Sequence, residues 1–329
     1  MLRALFACSL LLVACGSRTG LKVGAAPDAG VPEIDASIAP FPCRWGLGTP
    51  TTLGPPAPTL DAVVDETKLA FVRADVLAFA TRDRGVVVGM NPGGSFVSLA
   101  PGGFLALAED CVGTRWTANV AEGTLTTEPS IRVTGERCVT GRGERDSFPV
   151  LVSRLGRTEV QRLPRDLSTG PANLGDAPVP FDAVEAFASV DEQVYFVVGG
   201  ALTWRDVVGR SRAVPLPGRV RDLAVDAFGR GVLVLLEDRA VFVTRGDVGR
   251  EVTLPETFPH LAVSDQEGLV VGRDGTLWTL PLPRGPARAV ERMPAPIDAH
   301  VVLAEGHAVG GIASREADGV IWRPLTCNR

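Results

Sequence analysis

Four aspartates recur at one point of a repeating pattern. Asp61, Asp182, Asp222 and Asp298 each stand at or near the start of an apolar, strand-like run. Carboxylates that recur in phase can converge on a common axis, where they would hold a divalent cation or act as general acid and base. The same recurrence also suits a turn or an acceptor between repeats. Three histidines, His260, His300 and His307, are the other ligand-type residues. His300 and His307 flank "VVLAEG", and a metal pair there would need Asp298 or Glu305 to converge with them; histidines in a partly exposed strand or turn have the same appearance. No GxSxG, HExxH, P-loop or DxDxDG run is present, and the glycine-rich "MNPGGSF" and "TGRGERD" do not join a strand to a helix, so both read as turns. No cofactor is expected from these patterns.

The N-terminus places these groups outside the cytoplasm. Met1-Leu2-Arg3 is a positive start, and the 11 residues Ala4 to Ala14 are apolar except for Cys8 and Ser9. That run is too short to span a ~30 Å hydrocarbon core and reads as an export signal over residues 1–14. "LVAC" at Leu12 to Cys15 resembles the lipobox of bacterial lipoproteins. The resemblance implies acylation of Cys15, which becomes the mature N-terminus, and Gly16 in place of Asp implies the outer membrane. An ordinary secretory signal would instead leave Cys15 as a thiol or disulfide partner. Residues 15–42, rich in Gly, Ala, Pro and Asp and without periodicity, read as a disordered tether; its 27 residues after Cys15 would reach roughly 30 Å.

Residues 43–329 form the body. Loss of Arg3 with the signal takes the formal net charge from −5 to −6, lysine is confined to Lys22 and Lys68, and the arginines are interspersed with Asp and Glu. No basic stripe is available for nucleic acid. Setting Cys8 and Cys15 aside leaves Cys43, Cys111, Cys138 and Cys327, an even number that in an exported chain reads as two disulfides. Of the three pairings, Cys43 with Cys327 and Cys111 with Cys138 are favoured over the others. The cysteine and histidine spacing does not match a zinc site.

The elements that must position the aspartates repeat with a period near 40. "ALTW" ending at Trp204, "AVF" at Phe242, "TLW" at Trp278 and "VIW" at Trp322 follow at intervals of 38, 36 and 44. Leu216-Pro217, Leu254-Pro255 and Met293-Pro294 keep the same phase, and Asp274-Gly275 and Asp318-Gly319 are hairpin signals ahead of their Trp strands. Four short strands in about 40 residues are the signature of a β-propeller blade. The aromatic residues then fill the layers between blades, and Tyr195 in "DEQVYFV" belongs to the core.

In the first half, Leu60 to Leu99, Phe104 to Val133 and a short unit Cys138 to Leu163 are assigned to three blades. With four later units the expectation is an all-β propeller of about seven four-stranded blades, six or eight being possible. Ile297 to Leu325 holds only three strands, and "RWGLGTPTTLG" at Arg44 to Gly54 is expected to supply the fourth, closing the ring with both termini and placing Cys43 beside Cys327. A monomer is expected. The competing architecture is two β-sandwiches divided near Ser168 to Pro180.

Two propeller enzyme families offer partial resemblances. Sialidase-like propellers need a Tyr nucleophile and Asp-box turns, whereas Tyr195 is the one tyrosine and the DGxxW turns lack the Ser or Thr of an Asp box. Lactonase-like propellers hold a central metal with Glu, Asn and Asp; that resemblance would place Asp61, Asp182, Asp222 and Asp298 around a channel. The favoured function is a membrane-anchored extracytoplasmic module that binds an envelope protein or glycan, with a metal-dependent hydrolase or lactonase as the alternative.

Overall fold

The body's strands are apolar on both sides. In "VLVL" at Val232–Leu235 every side chain is buried, with Val232 and Val234 packing toward the preceding sheet and Leu233 and Leu235 toward the following one. Such a strand can only be satisfied between two other sheets. The computed structural model describes residues 44–328 apart from the short stretches 56–58, 65–67, 74–75, 82–84, 91–93, 101–102, 109, 120, 128–130, 144–146, 165–168, 227–229, 256–259, 264–266, 282–285 and 304–308. These residues form seven sheets, all paired antiparallel within themselves. The chain is an all-β propeller. Its blades run in sequence order over residues 59–90, 94–132, 137–176, 184–214, 222–253, 260–292 and 298–328, numbered 1 to 7 below.

Cores lie between blades. One cluster joins Tyr195, Val197 and Leu202 of blade 4 to Val232, Val234 and Val241 of blade 5, with Trp204 packed against it. Another joins Leu233 and Leu235 of blade 5 to Leu261 and Leu280 of blade 6, with Phe242 and Trp278 packed against it. The aromatic residues of the repeat therefore seal layers between neighbouring sheets. Tyr195 is 1% exposed, and its hydroxyl bonds the backbone of Arg245 and Gly246.

The first three blades divide differently from the sequence reading. "SFVSL", within the unit Leu60 to Leu99, does not end blade 1: Gly94–Ala100 is the innermost strand of blade 2, paired with Gly103–Ala108. Gly85–Met90, "GVVVGM", is the outermost strand of blade 1 and is as apolar as an inner one, so composition does not mark where the blade ends. Blade 3 is complete. Its fourth strand is Ala172–Asp176, from the Pro/Gly-rich segment that the two-sandwich alternative used as a linker. An outermost strand has one face and one edge in water, so its residues need not be apolar.

Ring closure uses both termini. Arg44–Leu47 pairs with the C-terminal half of Gly319–Asn328 and Thr51–Gly54 with its N-terminal half, so the two segments share the outermost position of blade 7. The innermost strand Asp298–Leu303 contacts Thr59–Val64 of blade 1, which completes the circle. Trp45 is 6% exposed within the core shared by blades 6 and 7, and its indole N–H donates to Glu267 Oε2 at 2.7 Å. Leu47 N donates to Glu291 Oε2 at 2.9 Å, again on blade 6.

Cys111 and Cys138 are disulfide-bonded, with 5.1 Å between their Cα atoms. Cys138 lies in the innermost strand of blade 3, while Cys111 immediately precedes the third strand of blade 2, so the bond staples two blades. Cys327 is disulfide-bonded as well. Cys15, Cys43, the signal, the tether, Glu305 and His307 lie outside the described residues.

Candidate functional site

Innermost strands run parallel to one another around the axis. At blade 3 this strand continues past Thr140 and bonds its neighbour directly. Arg142 N donates to Phe187 O at 3.0 Å and Ser189 N donates to Arg142 O at 2.9 Å. Gly141 permits the approach, since a Cβ there would lie 2.7 Å from the Phe187 ring. The Arg142 side chain is exposed.

Asp222 opens the innermost strand of blade 5. Its Oδ1 accepts from Leu223 N at 2.8 Å, and its Oδ2 accepts from Leu261 N of blade 6 at 3.1 Å. The residue as a whole is half-buried. Burial in the surrounding protein raises its pKa above the ordinary carboxylate value; the Arg142 guanidinium, the two backbone N–H groups and His300 oppose that shift without cancelling it. His300, on the innermost strand of blade 7, is half-buried. Groups from blades 3, 5 and 7 therefore lie within electrostatic reach of Asp222. A carboxyl, a guanidinium and an imidazole within electrostatic reach of one another suit charge-assisted binding of a polar ligand or transfer of a proton.

The remaining sequence candidates do not join this set. Asp182 sits in the 3₁₀ turn Phe181–Ala183, exposed, and pairs with Arg137 Nη1 at 2.6 Å, tying blade 4 to blade 3. Asp298 pairs with Arg315 Nε at 2.8 Å inside its own blade. Of Asp61 and His260 the structure describes only the strands Thr59–Val64 and His260–Val263. Among the described residues no group of three or more His, Cys, Asp and Glu could hold a metal ion. Arg142 escaped the sequence reading because "TGRGERD" has the composition of a turn, and its one signal was an arginine between two glycines.

The raised pKa of Asp222 has a defined sign. An unfolded aspartate loses its proton near pH 3.8, whereas the folded one retains it to higher pH, so stability falls as pH rises from the unfolded value through the folded one. Asp222→Asn removes the charge and keeps one of the two acceptor oxygens, so one of the bonds from Leu223 N and Leu261 N is lost against the relief of the buried charge. Its unfolding free energy at pH 7 is expected to equal or exceed that of the parent protein, with the gain vanishing below about pH 3.8, in urea titrations across pH. A loss of stability at pH 7 would show that the ionised carboxylate stabilises the ring.

No protein-family model matches the chain, and no curated protein matches it in sequence. Solved structures do. The WD40 β-propeller domain of Doa1 superposes with a TM-score of 0.62 at 13% identity, over 86% of this chain and 97% of that one. A streptogramin B lyase gives 0.59 at 12% identity, over 86% and 98%. Virginiamycin B lyase from Staphylococcus aureus gives 0.59 at 11% identity, over 86% and 99%. At these identities the likeness is one of fold, and the fold shared with all three is the β-propeller.

Proposed function

We propose that this protein is a membrane-anchored, extracytoplasmic binding module for an envelope protein or glycan. In this reading Cys15 carries the lipid, residues 15–42 form the tether, the outer membrane is the site of attachment, and Cys43 pairs with Cys327. The observation that carries it is the position of Arg44–Leu47 in the outermost strand of blade 7. A chain that enters at the perimeter does not cross either channel mouth, so a mouth and the loops around it stay free for a partner. The test is purification of the tagged mature protein from gently solubilised envelopes, with mass spectrometry of what accompanies it and metal analysis of the same sample. A specific protein or polysaccharide at near-equal stoichiometry supports the module.

A second reading is catalysis in the channel, of the hydrolase or lyase kind. Asp222 with Arg142 and His300 favours it, as does the fold held in common with two lyases. Protein that purifies alone, carries about one metal per chain and loses a lactone or ester activity on Asp222→Ala but not Asp182→Ala would establish it.

A further inference from the structure

Among the described residues, four two-residue hairpins have both central residues at positive φ: Leu155-Gly156, Asp191-Glu192, Gly199-Gly200 and Arg245-Gly246. Gly, Asn and Asp suit this backbone, and a large apolar side chain is the least suited. Two of the other turns are held by side-chain contacts. Glu192 pairs with Arg162 at 3.4 Å, Arg245 O accepts from Arg212 at 3.1 Å, and the backbone of Arg245 also bonds the Tyr195 hydroxyl. Leu155 has φ +49° and is 81% exposed, and among the described residues its N–H donates to Glu136 Oε1 at 3.3 Å. An apolar residue held in a costly conformation at the point of greatest exposure does nothing for the fold.

Its neighbours define what it meets. Arg154 and Arg157 face one another across the last rung of the hairpin, both exposed, and neither side chain forms an ion pair among the described residues. Other arginines among the described residues are paired, as in Arg137–Asp182, Arg212–Asp247 and Arg221–Glu237. The hairpin joins the second and third strands of blade 3, so it lies at the end of the ring where innermost strands begin. Ile297, 64% exposed and immediately ahead of the innermost strand of blade 7, stands at the same end.

We propose that Arg154-Leu155-Gly156-Arg157 is a membrane-contact tip, with Leu155 entering the acyl region of an anionic bilayer and the two arginines engaging lipid phosphates. This rests on the tethered reading above. A convex tip with unpaired cations fits a deformable anionic surface better than the concave pocket that a protein partner would have to supply. One leucine and two arginines bind weakly alone, but a tether supplies the effective concentration. The tip therefore orients the ring, with Ile297 as a second contact, and turns the Asp222 end of the channel toward the membrane.

Hydrogen exchange of the full chain tests this, on vesicles of phosphatidylcholine alone and on vesicles with about one-third phosphatidylglycerol. Exchange across Ser147–Pro164 is expected to slow several-fold on the anionic vesicles only. Arg154→Gln with Arg157→Gln abolishes the protection. Leu155→Asn abolishes it while raising the thermal midpoint by roughly 1–3 °C, because asparagine suits the turn. Equal exchange on the two vesicles, or an unchanged or lower midpoint for L155N, overturns the proposal. Protection that needs added envelope proteins assigns the tip to a protein partner and overturns it equally. Failure to associate with neutral vesicles refutes the tether, while protection on anionic vesicles still reports the tip.

Discussion

Trp45→Ala is expected to lower the unfolding free energy by about 3–5 kcal/mol, as large-to-small changes of buried aromatic residues do. The indole is almost wholly enclosed between blades 6 and 7. Its N–H is the donor, at 2.7 Å, to a Glu267 carboxylate that is itself 6% exposed. The substitution opens a cavity and takes a donor from a buried charge, and it does both at the strand that closes the ring. Trp45→Phe separates the effects, since the ring volume is largely kept and the loss should be about 1.5–3 kcal/mol, that of a hydrogen bond to a charged group. Urea denaturation followed by circular dichroism measures each. If W45A and W45F cost the same, the hydrogen bond accounts for the whole effect. If W45A costs nothing, residues 44–47 do not close the ring.

The Cys111–Cys138 bond sets the second large effect. Replacing both cysteines with alanine is expected to cost about 3.5 kcal/mol, the entropy of leaving open a loop with a sequence separation of 27 in the unfolded chain. Both residues are buried in the cluster of Leu107, Val133, Phe148, Val150, Val152 and Leu163 that joins blades 2 and 3. The apolar contact survives the substitution, and the covalent constraint does not. A reducing agent should lower the denaturation midpoint of the parent protein and shift the double variant by a smaller amount, the remainder coming from the bond at Cys327. Parent and double variant with identical midpoints under oxidising conditions would mean that the unfolded chain is already constrained here.

The strands were legible because their information is local. "VLVL", "QVYFVV" and "TLWTLP" are runs of apolar and aromatic residues between turn residues, and the 38-residue echo of Trp204 in Phe242 follows from each blade needing the same side chain at the same layer. Closure was legible because a three-strand final unit leaves an edge that an N-terminal strand can cover. The Cys111–Cys138 pairing followed from cysteine count and proximity along the chain. Blade boundaries in the first half were not legible, since Gly85–Met90 on the outside is as apolar as Gly94–Ala100 on the inside.

The channel group lay beyond the sequence for a different reason. Arg142, Asp222 and His300 are separated by 80 and 78 residues, and no spacing rule connects them. Their convergence depends on how many blades complete the circle and how far each innermost strand extends, which the packing of whole sheets sets. Phase in the repeat singled out Asp222 and Asp298 equally. Only the tertiary structure separates them, because the Asp298 carboxylate meets Arg315 on the adjacent strand of its own blade, whereas Asp222 meets the backbone of the next blade and lies within electrostatic reach of Arg142 and His300. Sequence determined the strands and the repeat, whose causes are local, and the closure, whose cause is an unpaired edge in the last repeat; the ring decided which polar groups come within electrostatic reach of one another.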